Sequence, residues 1–233
     1  MSAQNTNGTD AATPQVVGTI HSPGSLRRAL RLRPGQVDFL ELRVDHFAEK
    51  PETLLKAAPD LPAPLIVTVR HPAEGGANDL PASRREALYR QFLPLAAYVD
   101  LEVRSTTRLA TVLGAAREKR VKAIISDHHF RRTPSARVLR ERRQLAEAAG
   151  AVVVKVAGYA ATAADLERLL ELLQRGGKAQ VSLMGMGPLG KVSRLLFAQL
   201  GSVLNYGFLH EPQVSGQWEA TLLKQRLSEL AAD

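Results

Sequence analysis

The chain has 233 residues, 45% of them hydrophobic, with a formal charge of +8 and no cysteine. The missing cysteine excludes disulfides, thiolate metal sites and cysteine nucleophiles, and no apolar stretch approaches the roughly 18 residues that span a bilayer. The positive charge invites a nucleic-acid reading, but only 5% of residues are aromatic, which leaves little for bases to stack on. Arg137, Arg140, Arg142 and Arg143 are mixed with Glu141 and Glu147, as on a solvated helix face. The expectation is a cytoplasmic protein that binds neither nucleic acid nor membrane and whose field helps collect a small anionic substrate.

Residues 1–15, MSAQNTNGTDAATPQ, are small and polar. They lack the basic start and apolar run of a secretory signal and are expected to form a disordered tail. Residues 16–233 are expected to form one domain. Strand-like runs then recur at VVGTI (16–20), FLELRVD (39–45), LIVTVR (65–70), YVDLEV (98–103), KAIISD (122–127), AVVVKVA (151–157), AQVSLM (179–184) and SVLNY (202–206). An amphipathic helical stretch follows each, and Gly150, Gly176 and Gly201 stand where a helix should stop. Eight such units in one chain predict an α/β fold, a single-domain (β/α)8 TIM barrel. A doubly wound open sheet is the alternative.

Alternate strand residues point into a barrel, so polar residues at period two mark its interior. They are Glu41, Arg43 and Asp45 on the second strand, Thr68 and Arg70 on the third, and Asp100 and Glu102 on the fourth. Ser126 and His128 follow on the fifth, Lys155 on the sixth, and Ser182 and Met184 on the seventh. Burying so many charges is costly unless they pair and serve a site. Most lie near the C-terminal strand ends, where barrel enzymes keep their chemistry.

Lys155 interrupts a strand of Ala and Val; a neutral amine there would attack a carbonyl to form an imine, while pairing with Glu41, Glu74 or Glu102 is the inert alternative. His128 suits general acid–base work, with Asp100 placed to orient its ring; a histidine satisfied in a polar core is the other option. His129 should point away by alternation. Adjacent histidines without HxH or HExxH spacing are a weak metal signal, and no metal is expected. Glu74 lies in a loop whose Gly75–Gly76 pair allows a sharp turn. Arg194, early in a helix after MGMGPLG, suits a carboxylate or phosphate, and Gln217 precedes the last helix.

These motifs, in this order, resemble the type I 3-dehydroquinate dehydratases over nearly the whole chain from Val16. The family's ExRxD is matched by Glu41, Arg43 and Asp45, its R-x3-EGG by Arg70, Glu74, Gly75 and Gly76, and its DxE by Asp100 and Glu102. SxHxF is matched by Ser126, His128 and Phe130, the Schiff-base lysine by Lys155, and the MGxxGxxSR stretch by Met186 to Arg194, with Met184 near the substrate. A closing GQ pair is Gly216 and Gln217. The resemblance implies a hydro-lyase converting 3-dehydroquinate to 3-dehydroshikimate, through an imine on Lys155 and proton transfer by His128 assisted by Glu74. Asp100 would hold the ring, Arg194 would clamp the carboxylate, and Glu41, Arg43, Arg70 and Gln217 would bind hydroxyls. It implies a homodimer and no cofactor. Another Schiff-base barrel, such as an aldolase, and a non-catalytic binding relative are the alternatives. The sequence departs from the family at His129, usually Asp, and in the lid, where Gln213, Val214 and Ser215 replace Ser-Ala-Pro; Gln213 is expected to take over substrate contact at some cost in affinity.

Overall fold

The computed structural model describes residues 14–231. The tail expected over residues 1–15 therefore lies mainly outside the described residues. Gln15, assigned to that tail, instead opens the first strand, because its N–H has a partner in the carbonyl of Val203 at 2.9 Å.

Strands and helices alternate throughout: β1 (Gln15–Ile20), α1 (Pro23–Ala29), β2 (Phe39–Arg43), α2 (Glu52–Ala57), β3 (Leu65–Thr68), α3 (Ala82–Phe92), β4 (Ala96–Glu102) and α4 (Ala110–Glu118). The second half repeats the pattern with β5 (Lys122–His129), α5 (Ala136–Ala148), β6 (Val153–Tyr159), α6 (Ala163–Gln174), β7 (Gln180–Met186), α7 (Gly190–Gln199), β8 (Leu204–Phe208) and α8 (Ala220–Leu230). The strands pair in parallel in the order β7-β6-β5-β4-β3-β2-β1-β8. Pairing of β1 with β8, from Gln15 with Leu204 to Thr19 with Phe208, curls the sheet into a nearly closed barrel. The remaining seam, between β7 and β8, is fastened by scattered bonds: Val203 N–H donates to Val181 O at 3.0 Å, and Leu183 N–H to Ser202 Oγ at 2.9 Å. Among the described residues, no helix is long and apolar enough to cross a membrane.

Strand alternation divides the interior as the barrel geometry requires. Val99, Leu101, Val154 and Val156 face outward into a core shared with Leu88, Phe92, Leu139, Leu169 and Phe197 of the helices. Inside the barrel, Val17, Ile66, Ile124, Val153 and Leu204 form an apolar floor. Above it sits a buried polar layer of Glu41, Thr68, Arg70, Asp100, Ser126, Lys155 and Ser182.

Four local expectations change. β2 ends at Arg43, and Val44–Phe47 coils into a 3-10 turn; β3 ends at Thr68, before Arg70. β5 runs on through His129 because its pairing with β6 continues to Gly158. Gly150 and Gly201 do terminate helices in the left-handed region. Gly176 does not: α6 already ends at Gln174, where Arg175 turns extended.

Candidate active site

A cavity of about 400 Å³ opens at the C-terminal ends of the strands, a size usual for small-molecule sites. Lys155, His128, Glu74, Glu41, Arg43, Arg70, Phe130, Met184, Arg194, Gln213 and Gln217 all line it. Asp100 and Glu102 lie behind this lining and act on the groups that form it.

Lys155 is not a solitary amine in an apolar strand. Its Nζ donates to Asp100 Oδ2 at 2.9 Å and lies 3.5 Å from Glu41 Oε1. Asp100 also receives both terminal nitrogens of Arg70, at 3.0 and 2.9 Å, and the hydroxyl of Ser126 at 2.6 Å. Burial works to raise the Asp100 pKa, but the Arg70 and Lys155 cations overcome it and hold the carboxyl below its usual range. Asp100 makes no hydrogen bond to the imidazole among the described residues. In place of the expected bond to the ring, the Asp100 carboxylate is taken up by Arg70, just past β3, and by Lys155 of β6. Arg70 is in turn held by Glu102 at 3.2 Å, so its expected contact with substrate hydroxyls is limited to whatever edge reaches the cavity.

Glu74 holds the histidine instead. Residues Pro72–Glu74 form a single 3-10 turn that swings the carboxylate inward, leaving it buried rather than solvated. The turn closes so tightly that a Cβ on Gly76 would lie 2.2 Å from Arg70 O. Glu74 Oε2 accepts the backbone N–H of His128 at 3.1 Å and faces His128 Nδ1 at 3.0 Å. Since one N–H already converges on that oxygen, we assign it as acceptor for Nδ1–H too, which leaves Nε2 bare. Burial, then the Arg70 and Lys155 cations, push the His128 pKa well below its ordinary value, so the ring is neutral. Burial also lifts the Glu74 carboxyl to about 8, despite opposing cations that include Arg104 at 3.3 Å. Phe130 stacks beside His128, with ring centroids 6.4 Å apart. His129 turns outward to Asp127 at 2.8 Å, as alternation requires.

Arg194 is buried on α7. Nε donates to Tyr206 O, and Nη1 to the carbonyls of Gly185, Gly190 and Gly216. No carboxylate pairs with it among the described residues, and burial alone lowers its pKa to about 10. It still carries a full positive charge at neutral pH, so a buried cation borders the cavity with Nη2 uncommitted.

Over residues 20–233 the chain matches the family model described as type I 3-dehydroquinase. It is 32% identical to the 3-dehydroquinate dehydratase of Thermococcus gammatolerans, across 91% of this chain and 97% of that protein. It is 33% identical to the enzyme of the same name from a Hydrogenobaculum species, across 80% and 85%. A crystal structure of type I 3-dehydroquinate dehydratase from Clostridium difficile, with covalently modified comenic acid, superposes with a TM-score of 0.85 at 26% identity, covering 95% of this chain and 94% of that one. The chain belongs to the type I 3-dehydroquinase family. The aldolase alternative is thereby set aside.

The lid of this 3-dehydroquinase family member is assembled differently from the sequence expectation. Gln213 Oε1 accepts from Arg43 Nη1 at 3.2 Å, and Arg43 is fixed by Asp45 at 3.0 and 2.8 Å. Gln213 thus ties the lid to β2. Gln217 Oε1 accepts the N–H groups of Gln213 and Val214, at 2.7 and 3.3 Å, so it braces the lid backbone where a hydroxyl contact was expected. Sequence reasoning missed His21, His46 and Tyr206, which also line the cavity. His46 follows the recognised Asp45, but the 3-10 turn that brings it to the mouth was hidden by reading the strand through residue 45. Burial, then Arg43, lowers its pKa to about 4. The first and eighth strands show no period-two polar pattern, so His21 and Tyr206 gave no signal.

Proposed function

We propose that this chain dehydrates 3-dehydroquinate to 3-dehydroshikimate, in the shikimate route to aromatic amino acids, through a Schiff base on Lys155. The observation that carries this reading is the convergence of an amine and a neutral imidazole on one cavity. Lys155 pairs in register with Ser126, and His128 pairs with Ala157, so the two functional groups sit two residues apart in height on adjacent strands.

The Lys155 amine attacks the substrate ketone, the C–N bond forms, and the carbonyl oxygen leaves as water to give a protonated imine. His128 Nε2 then takes a proton from the adjacent carbon, and the electron pair moves into the imine as an enamine. The imidazolium returns its proton to the departing hydroxyl as the C–O bond breaks, and hydrolysis of the imine frees Lys155. Glu74 accepts the Nδ1–H throughout and steadies the transient imidazolium. Arg194 Nη2 supplies a charge-assisted contact for the substrate carboxylate. The imine is itself the electron sink, so the reaction needs no metal or diffusible cofactor. The same reading takes the protein as a cytoplasmic homodimer, on the family resemblance.

Borohydride added with 3-dehydroquinate should inactivate the protein irreversibly and leave a reduced adduct on Lys155 by mass spectrometry. Inactivation with no adduct there, or full activity in Lys155→Ala, would remove the mechanism.

A further inference from the structure

Tyr206 is assigned no role by the mechanism above, yet it touches the nucleophile. It projects from β8 into the barrel, is buried, and lies with the centre of its ring 3.6 Å from Lys155 Nζ. Asp100 and Glu41 approach the same nitrogen at 2.9 and 3.5 Å. Nζ thus sits in a cage with two carboxylate walls and one aromatic wall. The Tyr206 hydroxyl has no hydrogen-bond partner among the described residues, so the part of the side chain that meets a functional group is the ring face.

We propose that Tyr206 is a positioning residue for Lys155, its ring face holding a cation at Nζ both before and after the imine forms. This rests on the Schiff-base reading and deepens it. Across the step, an ammonium and a ketone become a protonated imine and one water. The C–N bond replaces the C–O bonds, the oxygen leaves with two protons of the ammonium, and the single positive charge stays at nitrogen. An aromatic face attracts that charge in either form, most strongly where water is excluded. The cage therefore fits the ammonium and the iminium alike, and what it supplies is position, keeping Nζ at the place where the imine forms. The iminium is the species that His128 deprotonates, so a nitrogen fixed in place keeps the adjacent carbon within reach of the imidazole. With the ring and both carboxylates around Nζ, the remaining open approach for a ketone is from the cavity.

The test compares Tyr206→Phe, which keeps the ring, with Tyr206→Leu and Tyr206→Met, which keep apolar bulk without it. The readout is the rate of borohydride-trapped adduct on Lys155 in a single turnover with 3-dehydroquinate. Binding of shikimate, which has no ketone at that position, serves as the control for an intact cavity. The Phe variant should trap within about twofold of the wild-type rate and melt no lower, since the hydroxyl has no protein partner to lose. At least one of the Leu and Met variants should bind shikimate normally and trap about ten- to thirtyfold more slowly, as expected for a nucleophile no longer held in its attack position. Wild-type trapping rates in every variant that still binds shikimate would overturn the proposal, as would a Phe variant as slow as the slower of the other two. If both Leu and Met lose shikimate binding, Tyr206 is a packing residue and the proposal falls. Absence of any Lys155 adduct in the wild type would overturn the Schiff-base reading itself, and this inference with it.

Discussion

The two walls of the cavity are built on different principles. From β3 to β6, side chains hold side chains: Arg70, Asp100, Ser126 and Lys155 form one buried hydrogen-bonded set and Glu74 with His128 a second beside it, with separations of 2.6 to 3.1 Å. On the β8, β1 and β2 side, positions are set largely by backbone: Arg194 hangs on four carbonyls, and Gln217 holds the lid through two N–H groups. The first wall fixes protonation states: against burial, the Arg70 and Lys155 cations hold the Asp100 carboxyl below its ordinary pKa, and burial with the same cations holds the His128 ring below its own. The second fixes shape and holds Arg194, which pairs with no carboxylate among the described residues, at the cavity edge. On the proposed reading, proton transfer belongs to the first wall and anion binding to Arg194 in the second, while Tyr206 of β8 and Glu41 of β2 reach across to Lys155.

The largest expected effect tests whether chemistry is confined to the first wall. His128→Ala should lower kcat by roughly 10²–10⁴-fold, the usual contribution of general acid–base catalysis. His129→Ala should stay within about tenfold, since that ring bonds Asp127 outside the cavity. The reverse ranking in steady-state kinetics would show that the separation between the walls is drawn in the wrong place.

Glu74→Gln sharpens the same point through pH. As pH rises through about 8, Glu74 becomes an anion beside Nδ1–H and makes Nε2 more basic, so kcat/KM should climb severalfold in the wild type. The Gln variant should lack this rise. Stability runs the other way. Between the ordinary value of 4.5 and about 8, the folded protein keeps a proton that the unfolded chain has released, so stability falls as pH increases through that window and levels off above it. Glu74→Gln should abolish that fall, a difference on the order of 3 kcal/mol between pH 5 and pH 9 in denaturant titrations. Identical pH profiles in the two proteins would mean that Glu74 does not tune the histidine.

The smallest effect is on the second wall. Gln213→Ala removes the tie between the lid and Arg43, a hydrogen bond to a charged group on a partly exposed loop. KM should rise about three- to tenfold, with kcat within about threefold because no member of the β3–β6 network is touched. A larger fall in kcat than rise in KM would show that the lid takes part in the chemistry.

What the sequence disclosed follows the same division. The first wall was legible because its residues are polar at period two within apolar strands, a pattern that only a buried ionic layer requires. Lys155, Arg70, Asp100 and His128 were found this way, and Glu74 came from its turn and the family motif. Which charge bonds which was not legible. Asp100 has Arg70, Lys155 and His128 all within range of influence, and spacing along three strands cannot rank them. In the second wall Glu41 and Arg43 were visible by the same alternation and Arg194 by its place after a glycine-rich turn, whereas Tyr206 and His21 carried no periodic signal and the bracing role of Gln217 emerged only from the fold.

The seam between β7 and β8 bears on how the chain is made. β8 is ladder-paired to β1 at the opposite end of the sequence and held to β7 by scattered bonds. During synthesis, seven strands can assemble into an open sheet whose two edges, β1 and β7, stay bare until the last fifth of the protein emerges. Bare edges recruit other chains, and slow long-range closure prolongs their exposure. A chain truncated before Leu204 would thus carry an unprotected β1 edge, and self-association of such fragments is the outcome to look for. Productive closure of the ring is a competition between β8 and a neighbouring nascent chain.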